Sequence, residues 1–471
     1  MSAPPVLSSE QAQFTDRAEV AIVGAGACGL CAALAARDGG ADVLLIERDE
    51  VPRGTTAMSI GLIPAANTRF QRDRGIVDSV ENFVGDILKR NEGKTDVARV
   101  HHIARESGPT IEWLVDAHAI PLSLQNELYA GHSLYRMHGT VGCTGGEVMD
   151  ALYAAAKKAG VRFALETTAE TIFADASGKI AGVRAVTKDA RRDIACGALI
   201  LASSGFAANR EMVAKHIPEM AKAGAYCHPG AQGDAVRWGE GLGAALADLT
   251  SYQSHGGLMV DRPASVPWAH ILRGGIQVNA TGRRFSDETA NYAERAHDIL
   301  AQPGGFAWSI FDQQIEESLA NFMPYVDFLK IGKVLTADSA EQLVMITGLP
   351  PALIDTLREV ADVAAGKIKD PLGRNFCDAK PLSPPFKAVK VTGSLYHTQG
   401  GLEVDEHGRV LRADRTPFPN LFAGGGAARG ISGPGCAGYL GGNGLLTASV
   451  YGRLAGTAAA AQIYPSGRIT A

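Results

Sequence analysis

Six residues near the N-terminus, Gly24-Ala25-Gly26-Ala27-Cys28-Gly29, have the spacing of a loop that holds a dinucleotide. A glycine-rich turn between a strand and a helix aims backbone N–H groups and the positive helix end at a phosphate. The glycines serve three separate needs, namely the tight turn, close approach of the pyrophosphate, and close helix–sheet packing. The loop is weak evidence by itself, so its flanks matter. Ala18–Val23 is an apolar run ending at the first glycine, and Leu30, Ala33, Leu34 and Ala35 supply one side of a helix. Asp42–Glu47 reads as a second strand of the kind buried in a parallel sheet. Glu47 follows Gly29 by eighteen residues, where an acid that holds a ribose 2′-hydroxyl is expected. These features predict a dinucleotide and leave FAD and NAD both open.

The rest of the chain must build the fold that carries this loop. Its 471 residues fit two or three domains, and 46% hydrophobic with 20% charged residues is globular composition. Helices are expected over Ser79–Lys89 and Glu147–Ala159, and a strand over Val161–Glu166. Thr171–Asp175 and Ile180–Thr187 read as a hairpin around Ser177-Gly178, and Ala198–Ala202 as another buried strand. From Ser251 to Tyr396 the βα alternation gives way to a region richer in proline and aromatic residues. Parallel-sheet character returns at Leu421–Ala423, before a last helix over Gly442–Ala460. The expected architecture is α/β: a Rossmann-like binding domain in two parts, 1–250 and 397–471, with an α+β capping domain inserted over 251–396. An insertion of this kind makes an inter-domain cleft, a common place for a ligand.

Net charge is -5 without a basic stripe, which argues against nucleic acid and anionic membranes as partners. Seven scattered cysteines fit a reducing compartment, and Cys28 and Cys31 read as small buried helix residues. No histidine or cysteine spacing predicts a metal site or a haem attachment. No apolar run reaches the ~20 residues of a bilayer span, so membrane insertion is not expected. Met1–Asp16 has neither a basic n-region nor an apolar h-region, so a soluble, cytoplasmic protein is expected.

Further segments carry a family likeness: Ile46-Glu47-Arg48, Arg53–Ser59 (RGTTAMS), Leu201–Phe206 (LASSGF), Gly233-Asp234, Val278-Asn279 and Gly282–Glu288. The C-terminal set is His397–Gly401 (HTQGG), Leu421–Gly425 (LFAGG) and Leu440–Leu445 (LGGNGL). Over nearly its whole length the chain resembles the fumarate reductase/succinate dehydrogenase flavoproteins, a superfamily that includes the 3-ketosteroid dehydrogenases. The resemblance implies FAD held by Gly24, Gly26, Ala27, Gly29, Glu47, Arg48, Thr55, Thr56, Ser59, Gly61, Ser203, Gly205, Asp234 and Gly425. It also places the turn Gly442-Asn443-Gly444-Leu445 beside the flavin N1/O2 edge, where a helix N-terminus stabilises the negative charge of reduced flavin. Two positions depart from the family. Gly426 stands where an acidic residue contacts the ribityl chain, and Thr55–Ser59 lacks the histidine that attaches flavin covalently in the membrane complexes. Noncovalent FAD is therefore expected.

The resemblance also locates the substrate side. Tyr292, four residues after Glu288, stands where fumarate reductases carry a proton-delivering arginine. Tyr439, just before Leu-Gly-Gly-Asn, replaces a second arginine that clamps a substrate carboxylate. Two histidines of the fumarate site match His255 and His397. Without the guanidinium forks a dicarboxylate loses its bidentate recognition. A tyrosine at position 292 is similar to the ketosteroid dehydrogenases, where it helps remove a substrate proton. A phenol of ordinary pKa ~10 does so only if its anion is stabilised, and Arg273 and Arg295 are candidates for that. The expected activity is α,β-dehydrogenation of a cyclic ketone with electrons leaving to an external acceptor. The alternative is an enoate reductase for a monocarboxylate held by His255 and His397. A flavin monooxygenase is disfavoured, because Leu421–Gly426 stands where a Gly-Asp-Ala type motif would be needed.

Overall fold

The apolar run that ends at Gly24 is the last part of a strand, Phe14–Val23. In the computed structural model, which describes residues 5–290, 292–376 and 379–464, it lies at the centre of a parallel sheet. Val20–Val23 pair in parallel with Val43–Ile46, which pair in turn with Arg162–Ala164. On the other side, Ala198–Leu201 pair with Val20–Val23, and Leu199–Leu201 pair with Leu421–Ala423. Successive side chains alternate between two cores, as a strand period of two requires. Val20, Ile22, Val43, Leu45, Ala198 and Ile200 pack with the helix Ala27–Asp38. Ala21, Val23, Leu44, Ile46, Leu199 and Leu201 face the other layer.

The strand Arg191–Leu201 changes partner along its length. Its first half is antiparallel to Ile180–Val186, which forms a hairpin with Thr168–Ala174. The hairpin closes on Asp175, whose carboxylate accepts N–H bonds from Ser177 and Lys179. After the last parallel strand, Pro417–Ala423, the chain ends its described part in a long helix, Asn443–Ile463.

The described residues separate into two units. The first comprises the chain up to Ile217, Cys227–Tyr252 and the part from His397 on; the second comprises Pro218–Tyr226 and Gln253–Tyr396. The short stretch Pro218–Tyr226 joins the second unit because Gly224 and Ala225 pair with Ser394 and Leu395. Within that unit Ile276–Val278 and Phe306–Asp312 form an antiparallel sheet with the strand Phe386–Thr398, which pairs through Thr392. Both of its faces are covered. Trp308, Ile310 and Ala388 pack on Leu353, Leu357 and Val360 of the helix Ala352–Ala364. Ala307, Phe311, Val389 and Val391 pack on Ile315, Tyr325 and Phe328. The inserted region is thus α+β with its own core. Among the described residues no helix is long and apolar enough to cross a membrane, and no group of His, Cys, Asp or Glu has the arrangement of a metal site.

Candidate active site

The three glycines of the N-terminal loop are constrained in three different ways. Gly24 has φ +98°, and a Cβ there would lie 2.6 Å from the carbonyl oxygen of Ala202. A Cβ at Gly29 would lie 1.9 Å from the Gly24 oxygen, so the helix packs directly on the turn. A Cβ at Gly26 would meet only Thr56 Oγ1, at 3.8 Å, because Gly26 borders an open groove. Gly26 also caps the helix Ala27–Asp38 without a side chain.

The groove lies within the first unit, and its lining includes Gly24, Gly26, Ala27, Glu47, Arg48, Thr55, Thr56, Ser203, Asp234 and Gly425. Glu47 is nearly buried, with Oε2 accepting from the Ala25 N–H at 2.7 Å and Oε1 from the Asp49 N–H at 3.1 Å. Both bonds fix the carboxylate at the end of its strand. Arg48 pairs with Asp234, which also pairs with Arg237. Thr56 Oγ1 accepts from Ala27 N–H, and Thr55 Oγ1 accepts from His228 N–H. The Ser203 hydroxyl is buried without a protein partner. An uncapped helix end, an open glycine, a fixed acid and an orphaned hydroxyl in one groove fit a dinucleotide with phosphates and a ribose. Gly205 stands behind this surface, where a Cβ would strike Thr398 Oγ1. Ser59 and Gly61 instead support the neighbouring turn, Ser59 Oγ accepting from Gly61 N–H. Thr167, His228, Gly230 and Trp238 also line the groove. They carry no dinucleotide signature themselves, so nothing in the residue pattern singled them out.

The Asn443–Ile463 helix packs along the helix that opens on the groove. A Cβ at Gly452 would approach the Cys28 oxygen at 2.5 Å, one at Gly456 the Ala32 oxygen at 2.2 Å, and one at Gly39 the Ala460 Cβ at 2.5 Å. The contacts advance together along both chains, so this helix and Ala27–Asp38 are parallel and touch backbone to backbone. Their N-termini point the same way, and that of the C-terminal helix extends further by about two turns, roughly 12 Å. One helix end opens on the groove; the other projects past it in the same direction. Gly442 (φ +89°) caps it without a side chain. Cys28 and Cys31 lie inside this packing, where burial pushes both thiols up, Cys31 to about 12. They are packing residues, not thiolates.

Tyr439 and His397 meet at that helix end, ring centroids 5.6 Å apart and edge to face. Burial raises the Tyr439 phenol to about 12, although the N–H groups of Gly444 and Gly442 bond its oxygen and pull the other way. It is thus a neutral hydroxyl. Burial lowers His397 to about 4, so its imidazole is neutral at pH 7. In the second unit, His255 stacks on Tyr396 and lies against Trp268 and Tyr292 at 5.1, 5.3 and 5.7 Å between centroids. Burial holds His255 at about 3, and its Nδ1 accepts from Gly257 N–H. The Tyr292 hydroxyl lies 3.4 Å from the Gln253 amide nitrogen. Arg273 is directed at Ser318, and Arg295 at Asp298 and the Asp287 carbonyl. Arg284 pairs with Glu288 and Asp370, an ion pair within the second unit's core.

The family model described as FAD binding domain matches residues 19–445. The fumarate reductase (cytochrome) of Shewanella frigidimarina is 32% identical over 453 residues, 94% of this chain and 77% of that protein. The open conformation of a flavocytochrome c3 fumarate reductase matches with a TM-score of 0.84 and 29% identity, over 96% of this chain and 79% of that one. The 3-ketosteroid-Δ4-(5α)-dehydrogenase from Rhodococcus jostii RHA1, in complex with 4-androstene-3,17-dione, matches with a TM-score of 0.74 and 25% identity, over 97% and 99%. No histidine stands in Thr55–Ser59 to attach the ring. Acid precipitation is therefore expected to release all flavin to the supernatant; flavin in the washed pellet would show a covalent bond. With the groove, the paired helix ends and these likenesses together, the chain belongs to the fumarate reductase/succinate dehydrogenase flavoprotein superfamily and is an FAD-dependent oxidoreductase.

Proposed function

We propose that the protein is a CH–CH dehydrogenase that desaturates a cyclic ketone between its α and β carbons. The observation that carries this reading is the Tyr439 hydroxyl, neutral and backed by two backbone N–H groups, where a carboxylate-binding enzyme needs a guanidinium. A neutral hydroxyl donates well to a ketone oxygen and poorly satisfies a carboxylate. Tyr439 O–H and the neutral His397 ring hold the carbonyl oxygen, which makes the α C–H acidic. Tyr292, as its phenolate, accepts the α proton and becomes the neutral phenol, with the Gln253 amide donating to its oxygen. The aromatic surround of His255 (Trp268, Tyr292, Tyr396) suits a flat apolar substrate better than an anion. Bound FAD would supply the hydride acceptor for the β carbon. The electrons then pass to an external acceptor. Residues 1–250 and 397–471 serve as the FAD-binding domain and 251–396 as the cap, in a protein that works in the cytoplasm.

The 32% identity to a fumarate reductase favours a second reading, reduction of an enoate monocarboxylate held by His255 and His397. One anaerobic experiment separates the two. Cyclic ketones added to the oxidised enzyme are expected to bleach the flavin, whereas enoates added with a reduced dye are expected to leave the dye unoxidised. Dye oxidation by enoates with no bleaching by ketones would replace the first reading with the second.

A further inference from the structure

A run of polar side chains starts at the first residue of the C-terminal helix and ends on His397. Asn443 Nδ2 donates to Ser432 Oγ at 3.3 Å, Ser432 Oγ–H donates to Gln399 Oε1 at 3.2 Å, and Gln399 Nε2 donates to His397 Nδ1 at 3.0 Å. Asn443, Ser432 and Gln399 are all buried, so water does not compete for these bonds. Gln399 is fixed by its backbone as well. Its N–H donates to the Ser251 carbonyl at 2.8 Å, and its carbonyl accepts from Gly430 N–H at 2.7 Å. The imidazole is held from below, since a Cβ at Gly444 would lie 2.8 Å from Cε1 and 3.0 Å from Nε2.

We propose that Gln399 is a positioning residue that fixes the tautomer of His397, making Nε2 the protonated nitrogen and therefore a hydrogen-bond donor to the substrate oxygen. The ring has two partners, the Gln399 amide at Nδ1 and the Thr398 backbone, which accepts from the ring and so raises its pKa. A ring nitrogen that accepts from an amide N–H must be the unprotonated one, so the single proton of the neutral imidazole resides on the other. Reversing the run requires Gln399 to turn its oxygen to Nδ1–H and Ser432 to donate to Asn443. His397 then offers a lone pair to the substrate, which repels a ketone oxygen. The site thus has a donor whose sense is set by one amide. The substrate role rests on the ketone reading above, but the tautomer assignment does not.

The test uses the FAD-loaded enzyme with 15N-labelled histidine. The His397 signals are identified by their loss in His397→Asn. In the wild type the Nε2–H tautomer is expected, and Nδ1–H, or an even mixture of both, would overturn the proposal. Gln399→Glu keeps the bond from Ser432 but replaces the donating amide by an acceptor. It is expected to switch His397 to Nδ1–H and raise its pKa, so that a pH dependence of kcat/KM absent from the wild type appears between about pH 5 and 8. An unchanged tautomer in this variant would also overturn the proposal. Gln399→Met removes the hold without imposing the opposite sense, and a loss of roughly 3–10-fold in kcat/KM is expected, the value of one net hydrogen bond. If the tautomer behaves as stated while ketones fail to bleach the flavin, the ketone reading falls and the Gln399 assignment stands.

Discussion

Tyr292→Phe is expected to lower kcat for a cyclic ketone by roughly 10²–10⁴-fold, the range for a lost general base, while flavin content and ketone binding persist. The size follows from how little else the change disturbs. The segment that carries Tyr292 is pinned on both sides of it. Before it, the Glu288 carboxylate pairs with Arg284 and Arg374, and its carbonyl accepts from Trp268 Nε1 at 3.2 Å. After it, the Ala293 carbonyl accepts from Ser254 Oγ at 2.5 Å. The ring retains its place 5.7 Å from His255, since phenylalanine keeps those apolar contacts. The hydroxyl is lost with its bond to Gln253 while the ring stays, so the variant separates proton transfer from packing. Stopped-flow bleaching at saturating ketone measures the step directly. A variant that bleaches at the wild-type rate would remove Tyr292 from the chemistry, and one that loses its flavin would make it a folding residue. Gln253→Leu is expected to show a smaller loss in the same direction, because the amide acts only on the phenol oxygen.

How far the sequence disclosed this site depends on what kind of feature carried each part. The Gly24–Gly29 loop was legible because each glycine answers a backbone constraint that no other residue meets, and the structure shows a separate constraint at each. The buried strands were legible as short apolar runs, and Val43–Ile46 and Ala198–Leu201 lie where those runs predicted, within one sheet. The long helix Val97–Asp116 was not legible, because Gly108-Pro109 inside it reads as a break. The structure accounts for the glycine: a Cβ at Gly108 would lie 2.6 Å from the Ala66 oxygen, so the helix passes too close to that segment for a side chain. Pro218–Tyr226 gave no sign of leaving the first unit, since its attachment is a two-residue pairing with distant Ser394 and Leu395. Gln399 shows the limit most clearly. In the sequence it is one residue of a matching segment, and only its neighbours in space, Ser432 and Asn443, give the amide a role.

Gly456→Ala is expected to destabilise the protein by about 1–3 kcal/mol, the ordinary cost of overpacking, and to reduce the FAD it retains. The added methyl would lie 2.2 Å from the Ala32 carbonyl oxygen and 3.0 Å from its Cα. Both are backbone atoms, so no rotamer change relieves the contact, and the two helices must separate or slide. In the proposed reading each carries one end of the cofactor site. Gly26 caps the helix at the pyrophosphate groove, and Gly442 caps the one that supports Tyr439 and His397. A shift between them strains the cofactor at both ends while leaving every groove side chain in place. The comparison that isolates this effect is Gly85→Ala, in the exposed middle of the helix Val80–Arg90, where a Cβ meets nothing within 4 Å. There the same substitution removes only backbone freedom from the unfolded chain and is expected to stabilise by about 0.5–1 kcal/mol. Thermal midpoints of the two holoproteins should therefore move in opposite directions, with flavin lost only from the first. Equal midpoints and equal flavin content would mean that the helix pair yields to a methyl at no cost, and that its close packing does not set the span between the two ends.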